Sequence, residues 1–292
     1  AFSYCTSLKT ITIPESVMSI GHYTFSYCIS LTTINILKSV ASIGYYAFSY
    51  CTSLTNITIP DSVTSIGDYA FSYCTSLTNI TIPESVTSIG NYVFSNCKSL
   101  TSITIGNNVT SIGNSAFSNC TSLTNITIPN KVTSISDSTF SGCKGLTTIT
   151  ISNNVTSIGI SAFSSCTSLT TITIPESVTS IGNSAFSDCT SLTSVTYNGT
   201  SDPGHNSSNI FNNCANLKEV KVPHNYKDEE FCGKPVKKGD SAESDKTKII
   251  VISVVSSIVG VAAIIIITAI ACYIRNRKLR VQNLEISQNL IL

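Results

Sequence analysis

Cysteine carries the most chemistry in this chain, and its spacing restricts what that chemistry is. Cys5, Cys28, Cys51, Cys74, Cys97, Cys120, Cys143, Cys166 and Cys189 recur every 23 residues, and Cys214 comes after a two-residue insertion. Twelve cysteines suggest a disulfide framework. One thiol per period at one fixed position instead predicts a buried column of small apolar side chains. Neighbouring periods bring such thiols within bridging reach, so pairing along the column stays open. Cys214 and Cys232 lie beyond the regular array and are candidates to tie its end to the stalk. Cys272, at the end of an apolar run beside basic residues, is a candidate S-palmitoylation site if the tail is cytosolic.

Other catalytic chemistry finds little support. The three histidines, His22, His205 and His224, have no Ser, Cys or carboxylate beside them in the pattern of an activated nucleophile. Glu15, Asp61, Glu84 and Glu176 each come after a proline and read as solvated turn residues. No GxGxxG, GKS/T, HExxH or CxxC motif occurs. No enzyme, cofactor or metal site is expected.

Two sets of polar side chains point instead to binding. Tyr23, Tyr46, Tyr69 and Tyr92 hold one repeat position, and Tyr4, Tyr27, Tyr50 and Tyr73 another. In later periods Ser115, Ser138, Ser161 and Ser184 replace the first column, and Asn96, Asn119, Gly142 and Ser165 the second. Because later periods dispense with them, the tyrosines are not core residues. Tyr supplies large contact area with a polar tip, as binding surfaces favour; neutral duplication of a tyrosine-bearing period explains them equally well. Tyr23, Tyr27, Tyr46, Tyr50, Tyr69, Tyr73 and Tyr92 are the ligand-binding candidates. A second candidate face is the threonine ladder from Thr12 and Thr58 to Thr173. Asn56, Asn79, Asn108, Asn119, Asn125, Asn154, Asn198 and Asn206 stand in N-x-S/T sequons and are glycosylation candidates, although a repeat rich in Ser, Thr and Asn generates that motif by composition alone.

The elements that position these residues are set by the repeat. AFSYCTSLTNITIP occurs at Ala47 to Pro60 and again at Ala70 to Pro83. In T-N-I-T-I, alternation and β-branching predict a short strand with Ile57 and Ile59 inward and Asn56 and Thr58 outward, ended by Pro60, which has no N–H to give. Val63 to Ile66 predicts a second extended piece and Gly67 a turn. D-Y-A-F-S-Y-C then predicts one helical turn that buries Ala70 and Phe71, with tyrosines four apart on a shared face. A single period cannot stand alone. Its apolar side chains yield roughly 1.5–3 kcal/mol each on burial, while each ordered residue costs about 1–2 kcal/mol of backbone entropy. Stacked periods bury one another's faces, so the array is a solenoid.

The pattern through Leu54, Ile57, Ile59, Pro60, Val63, Ile66, Gly67, Ala70, Phe71 and Cys74 resembles the BspA-like leucine-rich-repeat family of surface antigens. It departs at Leu37, Gly106 and Ser152, which lack the proline, and at Ser136, which lacks the glycine. The resemblance implies a right-handed, β-rich α/β solenoid of 23-residue coils and an extracellular binding or adhesion role without catalysis.

The organisation expected is a solenoid over 1–223, a stalk over 224–248, a transmembrane helix over 249–274 and a short basic tail over 275–292, cytoplasmic in this reading. Residues 249–274 carry no charge and are long enough for a hydrocarbon core of about 30 Å. Arg275, Arg277, Lys278 and Arg280 cluster on the tail side, although lysines on the stalk side nearly balance them. The chain opens inside a repeat without Met, so a signal and a cap are expected upstream. The expected protein is therefore a single-pass plasma-membrane adhesin or antigen with its repeats outside, meeting a protein or glycan of host cells or matrix. The alternative is a membrane-anchored scaffold or receptor, with tail anchoring as one form of it, acting through protein contacts. With 11% charged residues and a net charge of +1, nucleic acid is not an expected partner.

Overall fold

The computed structural model describes residues 2–205 and 207–239. The chain winds into a β-solenoid in which each 23-residue period is one coil stacked on the next. Most regular coils contribute a longer strand and a two-residue strand; the coil that starts at Cys51 has only the short one, Ser65–Ile66. Asn79–Ile82 pairs in parallel with Ser102–Ile105, with Ile80 opposite Ile103 and Thr81 opposite Thr104. The short pieces Ser19–Ile20, Ser42–Ile43, Ser65–Ile66, Ser88–Ile89 and Ser111–Ile112 form a five-stranded parallel sheet on a second side. Like residues pair with like because the repeat length equals one coil.

Strand alternation is as the sequence predicts in Asn79–Ile82, where Ile80 and Ile82 are buried and Asn79 and Thr81 exposed; Asn56 to Ile59 keeps the same inward and outward alternation, but the strand expected there does not form. Pro83 and Pro175 directly succeed the strands Asn79–Ile82 and Thr171–Ile174. Where Gly106 replaces the proline, its N–H donates to Ile82 O of the preceding coil at 3.0 Å, a bond that proline cannot make. Space also favours glycine there, since a Cβ would lie 2.7 Å from Pro83 O.

The third side corrects the expected fold class. No helix occurs among the described residues, so the molecule is a β-solenoid and not an α/β one. In the segment read as a helical turn, N–H groups alternate between two kinds of partner. Ala47, Ser49 and Cys51 donate to carbonyls three residues back, to Gly44, Tyr46 and Phe48, closing turns within the coil. Tyr46, Phe48 and Tyr50 donate to Asp68, Ala70 and Ser72 of the next coil at 2.8–3.0 Å. A helical turn would keep its hydrogen bonds within the coil. Here half of them run along the stack, and left-handed residues, φ 55° at Tyr46 and 59° at Tyr50, make the reversals.

The core is built of columns. Phenylalanines from Phe2 to Phe211 stack at each coil with ring centroids 5.2–5.5 Å apart. Beside them run fully buried columns such as Leu54, Leu77 and Leu100, and Val63 and Val86. Each fully buried side chain of this kind contributes roughly 1.5–3 kcal/mol.

The folded unit extends to Lys238, so part of the segment expected as a stalk is ordered. Lys234–Lys238 pairs in parallel with Val220–Val222 and antiparallel with Glu230–Phe231. Phe231 and Tyr226 are buried there, and this hairpin covers the strand Val220–Val222 and leaves the two-residue strand Glu230–Phe231 outermost, a short edge that offers little to pair with.

The single-pass plasma-membrane placement is likewise corrected. Among the described residues no helix is long and apolar enough to cross a membrane. The span expected over 249–274, the basic tail and Cys272 all lie outside the described residues, so the membrane placement is not carried forward.

Candidate binding face

The two tyrosine columns lie on the third side, at its two left-handed positions. Tyr23, Tyr46, Tyr69 and Tyr92 have φ of 55–59°, and Tyr4, Tyr27, Tyr50 and Tyr73 have φ of 59–60°. Contact between tyrosines runs along the stack and not within a coil. Tyr27, Tyr50 and Tyr73 stack with centroids 4.4 Å apart, and Tyr4 adds a fourth ring at 4.7 Å. Tyr23, Tyr46, Tyr69 and Tyr92 stack at 4.5–4.9 Å. Ring faces are therefore spent on one another, and the columns present edges and hydroxyls. Three of their four ends are open: Tyr4 is 67% exposed, Tyr23 52% and Tyr73 36%, while Tyr92 is half-buried. Partial burial, then the flanking phenols, raises the Tyr50 and Tyr69 hydroxyls above the ordinary tyrosine value.

Beyond Tyr92 the same backbone continues with other side chains. Ser115, Ser138, Ser161 and Ser184 keep φ of 52–56°, and Asn96, Asn119, Ser165 and Asp188 keep φ of 59–60°, with Gly142 at 73°. Asn, Asp and Gly suit this region, whereas a bulky residue there is an outlier.

Residues 1–124 and 111–231 match the model of the BspA type leucine rich repeat region. The chain belongs to the BspA-type leucine-rich-repeat family. No curated protein matches it. A leucine-rich-repeat protein of T. pallidum is 32% identical, with a TM-score of 0.52 over 55% of this chain and 77% of that one. A leucine-rich cell surface protein of Faecalibacterium prausnitzii is 28% identical with a TM-score of 0.37, over 74% of this chain and 79% of the other. A leucine-rich-repeat protein of Eubacterium ventriosum is 26% identical with a TM-score of 0.49, over 74% and 66%. Repeats of this family serve as scaffolds for protein interaction.

In this leucine-rich-repeat stack the thiols form the expected buried column, and the cysteines from Cys5 to Cys232 are free. Along the column each Sγ donates to a phenylalanine carbonyl of the preceding coil: Cys51 to Phe25 O at 3.1 Å, Cys74 to Phe48 O at 3.2 Å, and so on to Cys214 and Phe186 O at 3.0 Å. Burial pushes the Cys97 and Cys143 thiols up to about 12, which leaves them unreactive. Cys214 and Cys232 do not bridge, because Cys232 Sγ turns to Asp202 Oδ1 at 3.3 Å. That carboxylate also accepts the N–H groups of Gly204 and Cys232 and so holds the 198–205 loop to the closing hairpin. Among the described residues no three His, Cys, Asp or Glu side chains are grouped to hold a metal ion.

The sequons fall in different settings. Asn56, Asn79 and Asn125 are exposed on the long-strand face beside the threonine ladder, where shallow troughs of about 370 and 380 Å³ open between the strands. Asn119 and Asn198 are also exposed. Asn108 and Asn154 instead use Nδ2 to hold the previous coil, donating to Glu84 O at 2.9 Å and Asn130 O at 2.7 Å. Asn206 lies outside the described residues.

One functional column escaped the sequence reading. At the position after the turn glycine, which Ser136 replaces in one coil, several residues offer an acceptor to the next coil's N–H: His22 Nδ1 to Tyr45, Asp68 Oδ1 to Asn91, Asn91 Oδ1 to Asn114, and Asp137 Oδ1 to Ile160, at 2.7–2.9 Å. The recurrence of Asp and Asn after glycine was the available signal. Tyr45 belongs to this column, 50% exposed and stacked on His22 at 4.7 Å, and it enlarges the aromatic surface of the first coils.

Proposed function

We propose that this protein is a recognition molecule of the adhesin or surface-antigen type, and that its tyrosine-bearing coils bind a protein or glycan of host cells or matrix. One observation supports this most: eight tyrosines occupy left-handed positions that neither the core nor the turn needs them for, since later coils fill the same positions with Ser, Asn, Gly and Asp. Stacking at 4.4–4.9 Å sets out hydroxyls and ring edges at the coil spacing. A repeating ligand then touches several coils at once, and individually weak contacts add up to avidity. Sugars on Asn56, Asn79 and Asn125 would screen the threonine face and leave the tyrosine edge open.

The test is adhesion of beads displaying wild-type protein or the variant Tyr46→Ser, Tyr50→Asn, Tyr69→Ser, Tyr73→Asn at equal density, with circular dichroism as the control for folding. Folding should be nearly unchanged, because those residues already serve the later coils. Attachment to host cells or matrix should fall by at least about tenfold, or roughly 1.4 kcal/mol. Equal attachment would assign the tyrosines to neutral duplication and shift attention to the threonine face.

A further inference from the structure

We propose that the tyrosine columns are sites of oxidative cross-linking, at which a peroxide-driven one-electron oxidant joins tyrosines of neighbouring coils as dityrosine. Six pairs meet the geometric need: Tyr4–Tyr27, Tyr27–Tyr50, Tyr50–Tyr73, Tyr23–Tyr46, Tyr46–Tyr69 and Tyr69–Tyr92. Their centroids lie 4.4–4.9 Å apart with planes within 7° of parallel. Rings at one repeat position are related by a single coil step and lie nearly parallel, so each ring carbon ortho to a hydroxyl lies from its counterpart at about the centroid spacing. The exposed end rings Tyr4, Tyr23 and Tyr73 give an oxidant access.

The reaction balances with hydrogen peroxide acting through a haem peroxidase. Each of two stacked phenols loses an electron and its hydroxyl proton and becomes a phenoxyl radical. The two ortho carbons form a C–C bond, and the hydrogens they carried move to the phenolic oxygens, restoring both aromatic rings. The two electrons and two protons reduce one peroxide to two waters. In a flexible chain the encounter of two radicals limits the yield. Here the partner is already in place, and coupling becomes unimolecular. Each link closes a 23-residue loop and ties one coil to the next, which restricts the unfolded chain. The proposal does not depend on what the face binds.

The other described tyrosines act as internal controls. Tyr45 stacks on His22, and Tyr197 meets Tyr226 edge-on at 6.1 Å and 89°.

The test treats the full chain, at low concentration, with a haem peroxidase and hydrogen peroxide, and then applies digestion and mass spectrometry. Expected are peptide pairs two hydrogens lighter than their sum, joined between tyrosines 23 residues apart, with a yield per chain unchanged on dilution. The variant Tyr27→Phe, Tyr73→Phe keeps a ring at every level of its stack but leaves Tyr4 and Tyr50 without a tyrosine neighbour. It should lose every link of that column and keep those among Tyr23, Tyr46, Tyr69 and Tyr92. The proposal is overturned by three results: no dityrosine where free tyrosine is coupled, links that fade on dilution, or equal yields from variant and wild type.

Discussion

The coils up to Tyr92 and those from Ser115 onward share a backbone and differ in what they display. Tyr46 and Ser184 sit at φ 55° and 56°, and Tyr50 and Asp188 at 59° and 60°. Phe71 and Phe163 are both fully buried, and so are Cys74 and Cys166. The inward side chains are thus interchangeable between the halves. The outward ones are aromatic in one half and small and polar in the other. The coil dictates a left-handed turn and leaves its side chain free; the first half fills that freedom with rings that cost conformational energy and recover part of it by stacking.

Three measurements would break or sharpen this contrast. The largest effect should be blind to it: Phe71→Ala and Phe163→Ala each lose a ring stacked on both sides and should each destabilise by about 3–5 kcal/mol in denaturant titration. A marked inequality would show that the halves do not share one core.

Alkaline pH should also act on both halves. Cys97 and Cys143 are held near 12 by burial, against an ordinary 9.0. Above pH 9 the unfolded chain releases these protons while the folded chain keeps them. The stabilisation is complete below pH 9 and is lost as pH rises toward 12, at about 1.4 kcal/mol per pH unit for each thiol. Thermal melts from pH 8 to 11 should show the midpoint falling. A flat profile would mean that the thiols are not buried as described.

The smallest effect should separate the halves. Tyr50→Asn trades two ring stacks for a residue suited to φ 59° and should change stability by less than about 1 kcal/mol. The reverse change Asn119→Tyr places a ring where Asn96 and Gly142 flank it and should cost about 1–2 kcal/mol. Chemical denaturation of both variants measures the asymmetry, and equal costs would refute the claim that stacking offsets the turn.

Much of this architecture was legible in the sequence because it depends on periodicity. A 23-residue repeat of alternating isoleucines, a terminating proline and one invariant cysteine states its register and its buried columns before any coordinates are considered. The candidate site was legible in part: the tyrosine columns stood out by their loss in later coils, but their partners did not. Sequence spacing placed Tyr46 against Tyr50. The structure places Tyr46 against Tyr23 and Tyr69, one coil away on each side.

Sequence alone therefore determined the repeat, the inward and outward faces of the strands and the column in which the thiols lie, while their free state is read from the structure. These rest on hydrophobic alternation and identical spacing, which no neighbour can alter. Tertiary structure decided the third side. The segment Asp68 to Cys74 has an apolar spacing that suits a helical turn as well as a stacked turn, and its own side chains do not choose between them. The choice falls to the carbonyls of the next coil, which take the N–H groups of Tyr69, Phe71 and Tyr73 at 2.8–2.9 Å. The closing hairpin was decided in the same way. Its charged, proline-containing segment has little to bury by itself, and it becomes ordered because Val220–Val222 offers Lys234–Lys238 an open strand edge.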